Sequence, residues 1–207
     1  MALAPVHQPR GKVGLYFPGR MTQTPAMPPR PPEAFATERL IARIPCAGDA
    51  PEVFAAYASD PEVTRYLAWR HYTDPELLRT FLAGVARTWS EEEGRHYAWL
   101  LSRRDAPGVI GSIGVNFDAH RAMLGYVLAR SCWGQGLMVE AVRYVSAWAL
   151  AQPALYRVWA FCDVENTASA RVLEKAGFAP EGRLRRWHVC PTLGPEPRDC
   201  LVYARVR

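Results

Sequence analysis

The chain has 207 residues, of which 49% are hydrophobic and 22% are charged, with a formal net charge of +5 at pH 7. This length and composition predict a soluble folded domain with a substantial core, and no run reaches the roughly 18 apolar residues of a membrane span. The first 36 residues carry +3 of the charge and leave +2 for the other 171. That balance argues against a nucleic-acid-binding domain.

The five cysteines predict free thiols in a reducing compartment. Their number is odd, they form no CxxC pair, and no histidine lies near them at zinc-finger spacing. No apolar leader follows the first residues, so we expect a cytoplasmic protein without a metal site. Cys132 lies in a glycine loop described below, and its small apolar character favours a buried position over a role as nucleophile.

The segment 1–36 differs in composition from everything after it. Eight prolines punctuate it, and no helical or strand period survives between them. We therefore expect a poorly ordered tail over 1–36 and a catalytic domain over 37–207. A short apolar patch at 13–17 has no predicted partner, and Met21 stays open as an alternative start of translation.

The first half of the domain predicts a strand, helices and a run of three strands. Apolar and polar residues alternate over 39–44, which predicts a strand, and a helical pattern begins at Asp49. Asp60-Pro61 and Asp74-Pro75 each place proline after a capping aspartate, and the second begins a helix that reaches about residue 89. The following strands are predicted at 97–103, 108–116 and 123–129, with a hairpin turn over 117–121.

The second half alternates helices and strands. Residues 138–151 have a helical apolar period, and a second helix is closed by Gly177. This order predicts an α/β (α+β) domain with a mixed sheet and helices on both faces. The remaining predicted elements are a strand at 157–162, the helix at 167–176, and strands at 182–189 and 200–206.

The loop over 131–138 is the strongest chemical signal. Gly134 and Gly136 allow a tight turn, and the following helix begins with N–H groups that have no helical partner. Such a loop binds phosphate or pyrophosphate through its main chain. A P-loop would need Gly-Lys-Ser/Thr, and a dinucleotide fold a third glycine at Val139, so both of these alternatives are excluded.

Five segments carry a resemblance to a known family, and one of them lies in this loop: 37–40 (TERL), 59–66 (SDPEVTRY), 124–128 (LGYVL), 133–136 (WGQG) and 163–178 (DVENTASARVLEKAGF). They resemble the Gcn5-related N-acetyltransferase (GNAT) family, in its ribosomal-protein N-terminal acetyltransferase (RimJ/RimL-like) branch. The similarity runs from about residue 37 to 206. One departure is Ser131, where the broader superfamily often has glutamine or arginine, so a side-chain contribution is lost.

The resemblance implies a single domain with a mixed, mostly antiparallel sheet of six to seven strands, two of which splay apart to hold acetyl-CoA. The main chain around Leu128 would bind the thioester and the pantetheine arm, and the amides over 133–138 the pyrophosphate. Asn166 would contact the pantetheine arm or a water, and Ser169 the sulfur. The implied cofactor-binding residues are Val127, Leu128, Ala129, Trp133, Gly134, Gln135, Gly136, Leu137, Met138, Asn166, Ser169 and Leu173.

The catalytic roles implied by the resemblance fall on Ser169, as donor to the leaving thiol, and on Asn166. Each residue also has a structural explanation, because asparagine caps helices and serine is common in a first helical turn. The general base stays open among several candidates. These are the run Glu91, Glu92 and Glu93, the hairpin residues Asp118 and His120, and His188 near the last strands.

The acceptor is predicted to be an amine of low pKa. An α-amine titrates near 8 and a lysine near 10.4, a gap of roughly 3.4 kcal/mol, so a site without an evident base favours an N-terminal α-amine. A small-molecule amine and a non-catalytic acyl-CoA sensor remain alternatives. The aromatic segment 69–72 is expected either to line the acceptor groove or to belong to the core, and both monomer and homodimer stay open.

Overall fold

The computed structural model describes residues 30–91 and 94–207, and within them eight strands form a single sheet. Their order across it is β1-β2-β3-β4-β5-β6-β8-β7, and every neighbouring pair is antiparallel except β5 and β6. The strands are β1 (Ala34–Ala36), β2 (Leu40–Arg43), β3 (His96–Arg103), β4 (Val109–Asp118), β5 (Arg121–Leu128), β6 (Arg157–Asp163), β7 (Ala179–Val189) and β8 (Pro197–Val206).

Helices cover both faces of this sheet. Helix α1 (Ala50–Val53) continues as a π-helical turn (Phe54–Ala58) and packs with α2 (Pro75–Thr88) against β3 and β4. Helices α3 (Leu137–Ala151) and α4 (Thr167–Lys175) pack against β5 and β6 on the other face. Among the described residues, no helix combines the length and the apolar character that crossing a bilayer requires.

The predicted fold class is confirmed, with one strand more than the predicted six to seven. The additional strand is β1, which lies within the segment assigned to the proline-rich tail. Phe35 anchors it, because its ring stacks on Tyr144 with centroids 4.2 Å apart and is almost fully buried. The prolines just before it hide this strand in the sequence. The patch at 13–17 and Met21 lie outside the described residues.

The helix start predicted at Asp60-Pro61 is wrong. Asp60 does cap the next residues, since its carboxylate accepts the Glu62 N–H at 2.9 Å, but only a turn follows. The Thr64 N–H closes one turn on the Asp60 carbonyl, and no apolar period continues it. Asp60 and Arg130 instead form an ion pair of 3.1 Å. The equivalent signal at Asp74-Pro75 does start α2, where the Asp74 carboxylate accepts the Glu76 N–H at 2.8 Å.

The parallel strands β5 and β6 separate after three paired residues. Their register begins at Arg121 and Arg157 and ends at Met123 and Trp159. Strand β5 continues for five residues beyond that point and β6 for four. The expected splayed central pair is therefore present, and it leaves a wedge-shaped opening in the middle of the sheet.

Candidate active site

Main-chain groups of β5 face the opening between β5 and β6. The Ala129 N–H donates to the Ile110 carbonyl on the β4 side at 2.7 Å. Because successive residues of a strand direct their polar groups to opposite sides, Tyr126 and Leu128 direct theirs into the opening. This strand therefore offers N–H donors and carbonyl acceptors, in the spacing of a strand, to an extended ligand lying in the wedge.

Trp133 borders this opening at the carboxyl end of β5. Its indole Nε1–H donates to the Leu128 carbonyl at 2.7 Å, while the side chain remains 47% exposed. The ring therefore lies beside the wedge and is not packed beneath the loop. One lone pair of the Leu128 carbonyl is occupied by this bond, and the second remains for a ligand.

The two glycines of the loop adopt the backbone that the sequence predicts. Gly134 and Gly136 both have φ of +75°, in the left-handed region that favours glycine. Gly136 is the N-cap of α3 and supplies no side chain to the first N–H groups of the helix. These amides and the positive end of the helix dipole lie together and suit a phosphate group.

Two arginines hold the loop from outside. The Arg39 guanidinium donates to the Gln135 carbonyl at 2.9 Å and to the Glu140 carboxylate at 2.8 Å, so it ties the turn before β2 to both the loop and the first turn of α3. Arg103 donates to the Gln135 side-chain oxygen at 3.1 Å. The Gln135 amide in turn donates to the Ser131 carbonyl at 3.0 Å. The Gln135 side chain thus braces the loop and leaves anion binding to the main chain.

Four residues that the sequence analysis discussed as cofactor contacts or as a nucleophile have buried side chains. Leu137, Met138 and Leu173 belong to the core between α3, α4 and the sheet, and Cys132 joins them. Leu137 and Met138 can therefore contribute only their main-chain N–H groups to an anion. Cys132 occupies the buried position expected for it. For Leu173, which is fully buried, a contact with cofactor stays a prediction.

At the other side of the wedge, α4 presents two predicted residues together. Asn166 is the N-cap of α4, and its side-chain oxygen accepts the Ser169 N–H at 3.1 Å. This bond fixes the first turn and places the Ser169 hydroxyl 2.8 Å from the Tyr126 hydroxyl on β5. Asn166 therefore acts here as a helix cap, and its amide group keeps its own donors.

Burial sets the protonation of the groups around Ser169. It raises the pKa of Tyr126 well above its ordinary value, although a hydrogen bond with Ser169 opposes the shift. It also raises the pKa of the Cys162 thiol to about 11, again against a hydrogen bond with Ser169. Both groups are thus neutral at pH 7. The Tyr126 phenol, the Ser169 alcohol and the Cys162 thiol on this side of the wedge are therefore all uncharged hydrogen-bonding groups.

The face of the sheet opposite α4 is open beside the wedge. Phe161 of β6 lies on this face, because its neighbours Ala160 and Cys162 belong to the core on the α4 side. Its ring contacts Trp187 edge-on at 6.3 Å and His188 at 5.0 Å. An acceptor amine can approach the wedge across these aromatic side chains, and this surface around Phe161, Trp187 and His188 is called the acceptor face below.

The segment 69–72 forms a wall of this face and contributes to the core. Trp69 and Tyr72 contact each other with centroids 5.5 Å apart and pack on the cluster under α1 and α2. Arg70 donates to the Pro191 carbonyl at 3.1 Å. The connection between α1 and α2 is therefore docked on the loop that follows β7.

The predicted candidates for the general base are widely separated. Asp118 and His120 lie at the turn between β4 and β5, about 24 Å from the end of β5 at a rise of roughly 3.4 Å per residue. Glu91 is exposed after α2, towards the same end of the sheet, and Glu92 and Glu93 lie outside the described residues. His188 is the candidate that the fold brings to the acceptor face.

Three residues of the site received no role from the sequence. Tyr126 was visible only as one residue of a strand, and its partner Ser169 lies 43 positions away. Arg39, just before β2, and Arg103, at the end of β3, approach the loop from positions that are distant in the sequence. The alternation of β5 is a signal that could have placed Tyr126 on the face towards α4. The arginines had no such signal.

Comparison with known proteins decides the family. The model of the acetyltransferase (GNAT) domain family matches residues 39–179, which include the wedge, the glycine loop and α4. The chain is a GNAT-family N-acetyltransferase. Its acetyl donor is acetyl-CoA, and it transfers the acetyl group to an amine.

Relatives of this acetyltransferase span nearly its whole domain. It is 33% identical over 174 residues to the uncharacterized N-acetyltransferase YoaA of Bacillus subtilis, which covers 83% of this chain and 95% of YoaA. The fold is similar to the microcin C7 self-immunity acetyltransferase MccE, solved with acetyl-CoA and AMP, at a TM-score of 0.75 and 17% identity over 86% of this chain and 98% of MccE. It is also similar to RimL, a ribosomal L7/L12 alpha-N-protein acetyltransferase solved with coenzyme A, at a TM-score of 0.72 and 21% identity over 84% and 98% of the two chains.

Proposed function

We propose that this acetyltransferase modifies an N-terminal α-amine of a protein or peptide. The observation that carries the proposal is the absence of a free carboxylate beside the wedge among the described residues. Asp163 follows Phe161 on the same face, but its buried carboxylate forms an ion pair of 2.5 Å with Arg198. A site of this kind favours an amine that is already partly neutral at pH 7, and an α-amine meets that condition far better than lysine.

The binding of acetyl-CoA follows from the donor set. The main-chain amides over 133–138, at the start of α3, hold the diphosphate. The polar groups of Tyr126 and Leu128 that face the wedge bond the pantetheine arm, while Val127 and Ala129 support this part of β5. The Arg39 side chain fixes the loop in position through Gln135. This arrangement directs the thioester towards Ser169 and the acceptor face.

The chemistry needs few side chains once the two substrates are held side by side. A main-chain N–H of β5 that faces the wedge stabilises the oxyanion as the amine attacks the thioester carbon. When the carbon–sulfur bond breaks, the Ser169 hydroxyl donates a hydrogen bond to the leaving sulfur. Tyr126 supports it, because its phenol stays protonated and lies 2.8 Å from Ser169. A thiol of pKa about 8 to 9 needs no stronger acid.

The substrate of one structural neighbour supports an α-amine as the acceptor. RimL is described as acting on the α-amine of a ribosomal protein, and its fold extends over 84% of this chain. The aromatic surface of Phe161 and Trp187 is accessible to an acceptor, since half of the Trp187 side chain remains exposed. The resemblance to the RimJ/RimL-like branch agrees with both points.

A small-molecule amine is the second candidate for the acceptor. The same aromatic surface would also stack against a planar ring, and MccE was solved with AMP together with acetyl-CoA. A compact acceptor of this kind would need no groove along the sheet. The two candidates therefore make different predictions for peptide substrates. Only a peptide-specific enzyme should show a higher kcat/KM when the peptide is extended beyond its first residue.

A substrate panel separates these candidates. The enzyme is incubated with acetyl-CoA and a mixture of peptides with free N-termini, lysine side-chain amines and small amines, and thiol release and product mass are measured. We expect kcat/KM to be highest for peptide α-amines and to increase from a single residue to a tetrapeptide. Equal or better acetylation of lysine side chains, or no gain from a longer peptide, would contradict the proposal.

The boundary of the catalytic unit and its location belong to the same proposal. We assign the chemistry to residues 37–207 and the action of the enzyme to the cytoplasm, where all five cysteines would remain the free thiols that the structure shows. Removal of residues 1–29 is expected to leave kcat/KM unchanged. A loss of activity on that deletion would assign the first segment a part in catalysis.

A further inference from the structure

His188 reaches the acceptor face of the wedge through a bend in β7. The register between β7 and β8 shifts between Leu184 and His188, and Arg186 has a positive φ of 45° in that interval. The bend brings Trp187 and His188 over the same ring, that of Phe161. A non-glycine residue at positive φ is strained, and the Asp199 carboxylate, which accepts the Arg186 N–H at 2.9 Å, helps to hold this conformation.

Phe161 connects the imidazole to the wedge. The last paired residues of β5 and β6 are Met123 and Trp159, so Phe161 lies in the first stretch of β6 that has left its partner. On the β5 side, nothing lies within 4 Å of the position that a side chain at Gly125 would occupy. The imidazole of His188, 5.0 Å from the Phe161 ring, therefore lies beside the stretch of β6 that has separated from β5.

The charged groups around His188 leave the imidazole free to exchange a proton. Asp163 of β6 attracts a positive charge on the ring, but Arg198 of β8 lies between β6 and β7 and bonds both Asp163 and Glu165. The Cys190 thiol on the same side is neutral, because burial raises its pKa. Burial lowers the pKa of His188 and Asp163 opposes that shift, so the ring is neutral at pH 7.

We propose that His188 accepts the proton of the incoming ammonium group. The imidazole takes one proton from the R–NH₃⁺ group, and the resulting neutral amine attacks the thioester carbon. The carbon–nitrogen bond forms, the carbon–sulfur bond breaks, and the remaining excess proton on nitrogen passes to the sulfur through Ser169. The imidazolium then releases its proton to water. This role rests on the enzyme acetylating an amine and applies to a peptide or a small-molecule acceptor alike.

The test compares His188→Gln with His120→Gln in the full-length enzyme. Glutamine keeps a polar side chain at position 188 but does not titrate near neutral pH. The control histidine lies in the turn at the opposite end of β5. Thiol release is followed across pH with the amine that the wild-type enzyme prefers in the panel, so the outcome is separate from the identity of the acceptor.

We expect His188→Gln to lower kcat by about two orders of magnitude and to remove the part of the rise of kcat/KM with pH that follows deprotonation of the imidazole. The rise that follows deprotonation of the amine itself, and the KM for acetyl-CoA, should be unchanged. His188→Ala should regain activity when free imidazole is added, which a purely structural role would not allow. His120→Gln should match the wild type. A wild-type pH profile in His188→Gln, or no recovery of His188→Ala with imidazole in protein that still binds acetyl-CoA, would overturn the proposal.

Discussion

The hydroxyl oxygens of Tyr126 and Ser169 lie 2.8 Å apart and join the two sides of the wedge. One belongs to β5, whose main chain faces the opening, and the other to the first turn of α4. The pair closes the side of the opening that is opposite the acceptor face. In the proposed mechanism, its members contact the sulfur of a thioester held between the strands.

Removing the phenol oxygen should weaken catalysis without loss of binding. Tyr126→Phe keeps the ring in the core but leaves the Ser169 hydroxyl without its partner. One neutral hydrogen bond corresponds to about a tenfold change, so we expect kcat to fall roughly tenfold at unchanged affinity for coenzyme A. Ser169→Ala should lower kcat at least as much, and the double variant less than the product of both effects, because the hydroxyls act as one unit. Independent, multiplicative effects would show that the pair does not act together.

Alanine at Gly136 should damage both the loop and cofactor binding. The residue has φ of +75°, and an added Cβ would only reach ordinary contact with the Arg39 side chain at 3.7 Å, so the cost is backbone strain of about 1 kcal/mol. Relaxation of that strain would turn the amides away from a common point, and we expect affinity for coenzyme A to fall about tenfold. Gly177→Ala is the matched control: at φ of +89° it should cost similar stability in thermal unfolding and leave affinity unchanged. Equal losses of affinity in both variants would argue against an anion site at the loop.

The ion pair of Arg39 and Glu140 should make stability depend on pH. Burial opposes ionisation of Glu140, but hydrogen bonds from Thr37 and Arg39 outweigh it, so its pKa lies below the ordinary value. A carboxyl group with a lowered pKa contributes stability above its unfolded pKa of about 4.3, and this is lost as pH falls through the folded value. The free energy of unfolding of Glu140→Gln should therefore be about 1 kcal/mol lower than that of the wild type at pH 7. Near pH 3 the two proteins should have the same free energy of unfolding. A difference that stays constant with pH would assign the effect to packing.

The buried carboxylate of Asp163 should be indispensable for stability. It has no exposed surface, and Arg198 is its charged partner at the carboxyl end of β6. Asp163→Ala leaves Arg198 partly buried without that partner, so we expect a loss of about 3 to 5 kcal/mol in urea unfolding. Glu76→Ala, which breaks the exposed pair with Arg79, should cost less than about 0.5 kcal/mol. Similar losses in the two variants would contradict a structural role for the buried pair.

The sequence predicted the fold and the glycine loop because both depend on local patterns. Alternating and helical periods placed α2, α3, α4 and seven strands, and the two glycines of 131–138 indicated the left-handed turns. The short strand β1 was missed because its stability comes from Phe35 stacking on Tyr144, which is 109 positions away. The turn at Asp60 carries the same local signal as a true helix start, so only its surroundings distinguish it.

The remaining parts of the site depend on contacts that no local pattern contains. Tyr126 gains its position from α4, and Arg39 gains its role from the carbonyl of Gln135 on another element. His188 could be named as a candidate base but not chosen. The bend at Arg186 that brings it over Phe161 follows from the register shift between β7 and β8.

The most direct test of this account is a titration of the enzyme with coenzyme A, followed by heteronuclear NMR of the backbone amides. If the loop amides hold the diphosphate, the signals of Gly134, Gln135 and Gly136 should shift the most and saturate together with the heat measured by calorimetry. Gly177, with a similar backbone and no part in the site, should stay in place. Saturable binding that leaves the three loop amides unshifted, or no binding at all, would contradict the central claim.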